Sequence, residues 1–208
     1  MHIAEGILAP EVLAAGAVLG GVGTAYGLYR LDVEDVPRAA VLSAGFFVAS
    51  LIHVPLGPAS VHLVLNGLLG VVLGWAAFPA VLVALVLQAL FFGYGGFTAL
   101  GVNTLVMAGP AVLVHYLFRS ALQPGGNMRF AAGFGAGAIA IALGAVLASA
   151  AVAASGKAFS AAATALLTGH VPIMLIEGFI TGSMVVFLAR VRPKVLGGAH
   201  ALEEGSYG

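Results

Sequence analysis

The sequence predicts an all-α integral membrane protein, one domain over residues 1–208 with about seven transmembrane helices. Three observations carry this. Of the 208 residues, 61% are hydrophobic and only 8% charged, whereas soluble domains carry about 25% charged residues, so too few charges remain to clothe a water-facing surface. Apolar runs recur at roughly the 20-residue length that crosses a bilayer. Thirty glycines, many spaced four apart with alanine, suit helices that approach one another closely in lipid. A net charge of zero with scattered basic residues leaves no nucleic-acid footprint. The absence of cysteine excludes disulfides and thiolate ligands, so a metal site here must use nitrogen or oxygen.

Taken in order, residues 1–9 precede the first apolar run. They lack a basic n-region and carry Glu5, with Glu11 just beyond, so they read as mature sequence rather than as a signal peptide. Seven spans follow, at Pro10–Tyr29, Pro37–Val54, Val61–Ala76, Pro79–Phe92, Val102–Phe118, Phe130–Ala154 and Thr164–Val191. The third and fourth are short and only Gly74–Pro79 separates them, so they read either as a tight hairpin or as one kinked helix. Charge decides between the two. With seven spans and the N-terminus external, Arg30, Arg119, Arg129, Arg192 and Lys194 fall in cytoplasmic segments, Arg38 and Arg190 fall at cytoplasmic helix ends, and Lys157 alone lies outside. That is the positive-inside pattern, and merging spans three and four would destroy it. The C-terminal tail, residues 193–208, is then cytoplasmic, and the protein is expected to be multi-pass in the inner (cytoplasmic) membrane. Gly16, Gly20, Gly23 and Gly27 in the first span, and Gly133, Ala136, Gly137, Ala140, Gly144 and Ala148 in the sixth, form small-residue stripes expected mainly to pack inside this chain.

The same topology collects His2, His53 and His62 at the external face. The Met1 amine, the residue-2 amide and the His2 imidazole can close two chelate rings on one ion, and Met1 is expected to be retained because histidine is too large to follow a removed methionine. A fourth nitrogen completes a square-planar set, which suits Ni(II), Cu(II) or low-spin Co(II) rather than tetrahedral zinc or oxygen-seeking calcium and magnesium. His62, after the turn Pro55-Leu56-Gly57-Pro58, is the best fourth ligand, expected at the outer mouth. His53 at the end of span two competes, caps its helix or orients a ligand. Asn103 and Glu5 sit on the same side as polar neighbours, and Gln88 is expected to tie helices together. Glu177 lies inside the last span, where an ionisable group is a functional suspect, either with His170 as its candidate partner or protonated and bonded across helices. His115 and His200 receive no role. No H-E-x-x-H helix, G-x-S-x-G elbow or P-loop is present; Gly156-Lys157 is preceded five positions earlier by Ala151. No catalytic residue and no permanent cofactor is expected, and uphill transport would need a partner or an ion gradient.

The start Met1-His2-Ile3-Ala4-Glu5-Gly6-Ile7-Leu8, the segment Val54–Leu63 and the run Gln88–Asn103 together resemble the CbiM/NikM family, the substrate-binding S-components of energy-coupling-factor transporters for cobalt and nickel. The similarity reaches Glu177-Gly178 in the last span. The resemblance implies an N-terminus that folds back into the protein, with residues 1–9 as the metal-binding segment. The metal is then held by the Met1 amine, the His2 amide and imidazole, and His62. It also implies Co(II) or Ni(II) as transported substrate. The partners it implies are a transmembrane coupling (T) subunit, a cytoplasmic ATPase pair and, in many systems, a small accessory membrane subunit. Two departures from the family pattern are His53, absent in many relatives, and Tyr94, acidic in some. The rival reading from the residues alone is a stand-alone proton-coupled divalent-metal transporter or channel working through Glu177 and His170.

Overall fold

The computed structural model describes residues 2–56, 59–122, 128–156 and 160–197. Its helices are α1 (Pro10–Tyr29), α2 (Val36–Ala49), α3 (Asn66–Leu73), α4 (Ala77–Phe92), α5 (Leu100–Phe118), α6 (Arg129–Ala154), α7 (Ser160–Val191) and a short α8 (Lys194–Gly197). Three short strands, β1 (His2–Ile3), β2 (His53–Leu56) and β3 (Ala59–His62), form one sheet in the order β1-β3-β2. Five apolar runs are long enough to cross a membrane, Asn66–Phe92 counting as one of them. Val18, Val22, Val41, Phe91 and Phe179 are exposed on their helices, as a lipid-facing surface requires. The protein is a multi-pass membrane protein.

Local signals set the helix limits. Proline opens α1 and stands in the first turn of α2, where a missing N–H costs nothing and φ is already helical. Gly93 ends α4 in the left-handed region at φ 67°, the usual glycine C-cap. The expected first span coincides with α1, but the second does not run to Val54. Helix α2 stops at Ala49, and at 14 residues it is about 21 Å long, shorter than the roughly 30 Å hydrocarbon core. Strands β2 and β3 stand where the sequence had suggested the end of one helix at Val54, a turn, and the start of the next at Val61, because a short apolar run fits a buried strand as well as a helix.

Helix α3 is shorter still, and its neighbours fix its direction. The Asn66 side chain reaches the carbonyls of Met107 and Ala140, Gly70 lies against Ala111, and Gly74 faces His115. So α3 descends beside α5 in the same sense. Gly74, at φ 54° and ψ −122°, opens a single turn over Gly74–Ala76 that reverses the chain. Helix α4 then runs back, parallel to α2: Ser43 donates to the Ala80 carbonyl and Gln88 to the Ser50 hydroxyl. Its far end joins the start of α5 through residues 93–99. Segments three and four are therefore a hairpin with one half-length arm, not one kinked helix.

Both small-residue stripes are used inside the chain. Gly16, Gly20, Gly23 and Gly27 are the buried residues of α1; Gly20 abuts the Gly101 backbone and Gly27 abuts Trp75. On α6, Gly133 meets Gly182 and Gly137 meets the Glu177 backbone of α7, so this pair packs most intimately. The tail is not wholly free: α8 packs back on α7, and Leu196 is buried with Val114 and Val185. At the end of the bundle away from the sheet, Arg30, Asp35, Arg38, Trp75, His115 and Tyr116 line a polar cavity of about 140 Å³. A larger groove, about 360 Å³, lies between α1, α2 and α4 and is lined by apolar side chains such as Leu28, Ala40, Phe47 and Val83; it contains no histidine.

Candidate metal centre

The N-terminal segment is drawn into the protein. Ile3 is fully buried and Leu8 nearly so; burying one such side chain contributes about 1.5–3 kcal/mol relative to leaving it in water. Three polar ties fix the segment. Asn103, at the start of α5, accepts from the Ile3 N–H at 3.0 Å and donates to the Ile3 carbonyl at 3.1 Å, so its amide replaces a missing strand neighbour. Glu5 accepts from the Thr98 N–H at 2.9 Å, and that bond holds its carboxyl below the ordinary carboxylate value. The Ala9 N–H donates to the Ser155 hydroxyl at the end of α6.

The strand register then brings two histidines together. In the β1–β3 pair His2 lies opposite Ser60, and His62, two residues further along β3, shares the His2 face because side chains alternate with period two. Diagonal neighbours at this offset are within reach of large side chains. The two imidazole rings stack with centroids 4.4 Å apart and planes inclined by 26°. His2 is 4% exposed and His62 1%. Tyr94 tilts against His2 at 6.1 Å. Gly95, at φ 74°, brings its backbone beside Asn103 and the His2 ring, and Gly96, at φ 82°, lies so close to Glu5 that a methyl group there would overlap the carboxylate arm.

The protonation state of His62 follows from its contacts. Its Nδ1 lies 2.7 Å from the Leu63 carbonyl. A carbonyl only accepts, so Nδ1 carries the proton and Nε2 keeps its lone pair. That Nε2 is buried and has no hydrogen-bond partner among the described residues. A neutral imidazole with one nitrogen fixed on a carbonyl and the other bare is the form that binds a metal. Among the described residues no three His, Asp or Glu side chains form a cluster able to hold an ion.

The other expected residues fall in different places. Met1 and His200 lie outside the described residues. His53 opens β2 with its backbone opposite His62, on a strand rather than at a helix end. His62 itself is not at a surface mouth but buried, on strand β3 packed against α7 rather than at the start of a helix. His115 bonds the Gly70 carbonyl at the far end of the bundle. Gln88 ties α4 to α2, as expected. His170 and Glu177 do not bond each other. His170 donates from Nδ1 to the Leu166 carbonyl of its own helix. Glu177 accepts through one oxygen, Oε1, from the N–H groups of Val64 at 2.5 Å and Leu65 at 2.8 Å. Leu65 is the one described non-glycine residue at positive φ, 54°, a conformation costing on the order of 1–3 kcal/mol. Sequence reasoning missed this link, along with the Gly95-Gly96 wall; the strong signals for the latter were its two adjacent glycines after a helix-ending Gly93.

Comparison with known proteins places the chain. Residues 2–195 match the profile of the CbiM family, described as the cobalt uptake substrate-specific transmembrane region. This protein belongs to the CbiM family. It is 47% identical to a putative metal transport protein of Haemophilus influenzae, over 94% of this chain and 97% of that one. It is 35% identical to the putative cobalt transport protein CbiM of Methanocaldococcus jannaschii, over 94% and 90% of the two chains. A crystal structure of a transition metal transporter superposes with a TM-score of 0.80 at 28% identity, covering 92% of this chain and 93% of the other. As a CbiM protein, the chain is a membrane component of metal uptake.

Proposed function

We propose that this CbiM protein is the capture subunit of an energy-coupling-factor importer in the cytoplasmic membrane. It takes Co(II) or Ni(II) from the external side for ATP-driven uptake by a coupling subunit and an ATPase pair. The observation that carries this is the stacked, buried pair His2 and His62, with the His62 Nε2 bare, on a strand that begins at the second residue of the chain. The proposed ligands are the Met1 amine, the His2 amide and imidazole, and the His62 Nε2, with Asn103, Glu5 and the β2 strand from His53 holding the strands that carry them. Four nitrogens favour a square-planar ion. Because amine, amide and imidazole must all be free of protons, affinity falls as the medium is acidified.

Absorption spectroscopy of the purified, untagged protein during titration with Co(II) and Ni(II) tests this. One equivalent should bind tightly without the intense low-energy d–d band of a tetrahedral site. Adding a single residue before Met1 should abolish the binding while circular dichroism and thermal unfolding remain unchanged. Undiminished binding by the extended protein sinks the proposal. The rival proton-coupled reading finds no support in the geometry, since Glu177 is committed to backbone N–H groups and His170 to a carbonyl.

A further inference from the structure

Glu177 is, among the described residues, the one fully buried acid on a membrane-crossing helix, and nothing in the proposed ligand set uses it. Its position in the fold gives it a task. The helix stripe that includes Glu177 faces β3 and the start of α3. Between His62, the last residue of β3, and Asn66, the first of α3, the chain has three residues in which to turn from strand to helix. Leu65 makes that turn in the left-handed region, as the N-cap of α3 with no side-chain cap of its own. The N–H groups of Val64 and Leu65 are therefore aimed away from any strand or helix partner, at depth in an apolar bundle where an unsatisfied donor is costly. A single oxygen, the Glu177 Oε1, takes both. The second oxygen, Oε2, is buried without a hydrogen-bond partner among the described residues.

We infer that Glu177 is a positioning residue for metal capture: through Oε1 it holds the left-handed corner at Val64–Leu65 and so sets the His62 ring against His2. The inference rests on the metal-capture reading and deepens it. It assigns the intramembrane acid to geometry, not to proton transfer. What matters is the reach of the side chain and one acceptor oxygen; the charge on the carboxylate and the fate of Oε2 do not. Partners that orient a metal-binding histidine typically change affinity by about 10- to 100-fold when removed, and an effect of that size is expected here.

Two substitutions separate reach from charge. Glu177→Gln keeps a carbonyl-type acceptor at the same distance and removes the charge. Glu177→Asp keeps the charge and withdraws the acceptor by one methylene. Titration of the full-length, untagged variants with Ni(II), together with the Co(II) absorption spectrum of each, is the measurement. The Gln variant should bind as the parent does with an unchanged spectrum, while the Asp variant should bind about 10- to 100-fold more weakly with altered absorption. Adding Leu65→Gly to the Asp variant should recover part of the loss, because glycine adopts the left-handed corner without a clamp. Loss of binding in the Gln variant with retention in the Asp variant overturns the inference in favour of a charge role. Parent-like binding in both overturns it outright, as does an Asp defect that Leu65→Gly leaves untouched. A parent protein that binds neither ion overturns the functional reading and this inference with it.

Discussion

The two ends of the bundle are built on different principles. At the sheet end, polar side chains reach the backbone of non-helical segments: Asn103 and Glu177 from helices to Ile3 and to Val64 and Leu65, and Glu5 from the N-terminal segment to Thr98. At the other end, side chains meet side chains: Asp35 pairs with Arg38, Arg30 bonds the Tyr26 hydroxyl, and Trp75 donates to Tyr116, with Tyr26 edge-on to Trp75. Aromatic and arginine side chains in this pattern suit a lipid–water boundary, where water supplies any bond the protein leaves unmade. Backbone placed at depth has no such recourse, so every strand residue near His2 and His62 needs a protein partner. The consequence is rigidity where two rings must meet and tolerance where a helix merely has to end.

That contrast can be broken by mutation, and the largest effects belong to the sheet end. His62→Ala should reduce Ni(II) affinity by more than 100-fold with little change in fold, as read by metal titration beside circular dichroism; retention of tight binding would place the metal elsewhere. Asn103→Leu removes both bonds to Ile3 and should weaken binding by about 10- to 100-fold. Gly96→Ala forces a side chain into positive φ and into Glu5, and should lower both metal affinity and Tm measurably. At the far end, Trp75→Phe removes one exposed hydrogen bond worth about 1 kcal/mol, which for a chain of this size lowers Tm by about 2–4 °C and should leave metal affinity unchanged. A metal-binding defect in Trp75→Phe would erase the distinction between the ends. The smallest effect concerns Glu5. Its folded pKa is depressed, so the Thr98 bond contributes stability above the ordinary carboxylate value of about 4.3 and loses it as pH falls through the lowered folded value. Amide exchange in residues 93–99 should accelerate in that acid range in the parent and show no such step in Glu5→Gln.

Much of this molecule is legible in its sequence. The limits of α1 and the inward-facing glycines of α1 and α6 follow from proline, glycine and small-residue spacing, all of which act within a few residues, whereas the reversal near Gly74 follows from the positive-inside charge pattern. Topology alone collects His2, His53 and His62 on one side, and the structure stacks the rings of His2 and His62. The depth of His62 was not foreseen. His53 and Val54 read as a helix end and Val61 and His62 as a helix start on either side of a turn; that they lie on strands depends in part on β1, from the N-terminal segment, pairing with Ala59 and Ser60. The Glu177 bonds join residues 112 and 113 positions apart, and no local pattern announces them. A lone intramembrane acid signals a task without naming it.

The eight-residue α3 has an electrical consequence. At 1.5 Å per residue it is about 12 Å long, less than half the roughly 30 Å of hydrocarbon, and it is what separates the His62 corner from the far end of the bundle. On the proposed capture reading, a divalent ion beside His62 would therefore rest part-way through the membrane's voltage drop. Each elementary charge crossing the whole drop exchanges about 2.3 kcal/mol per 100 mV. On that reading, occupancy of the site responds to membrane potential.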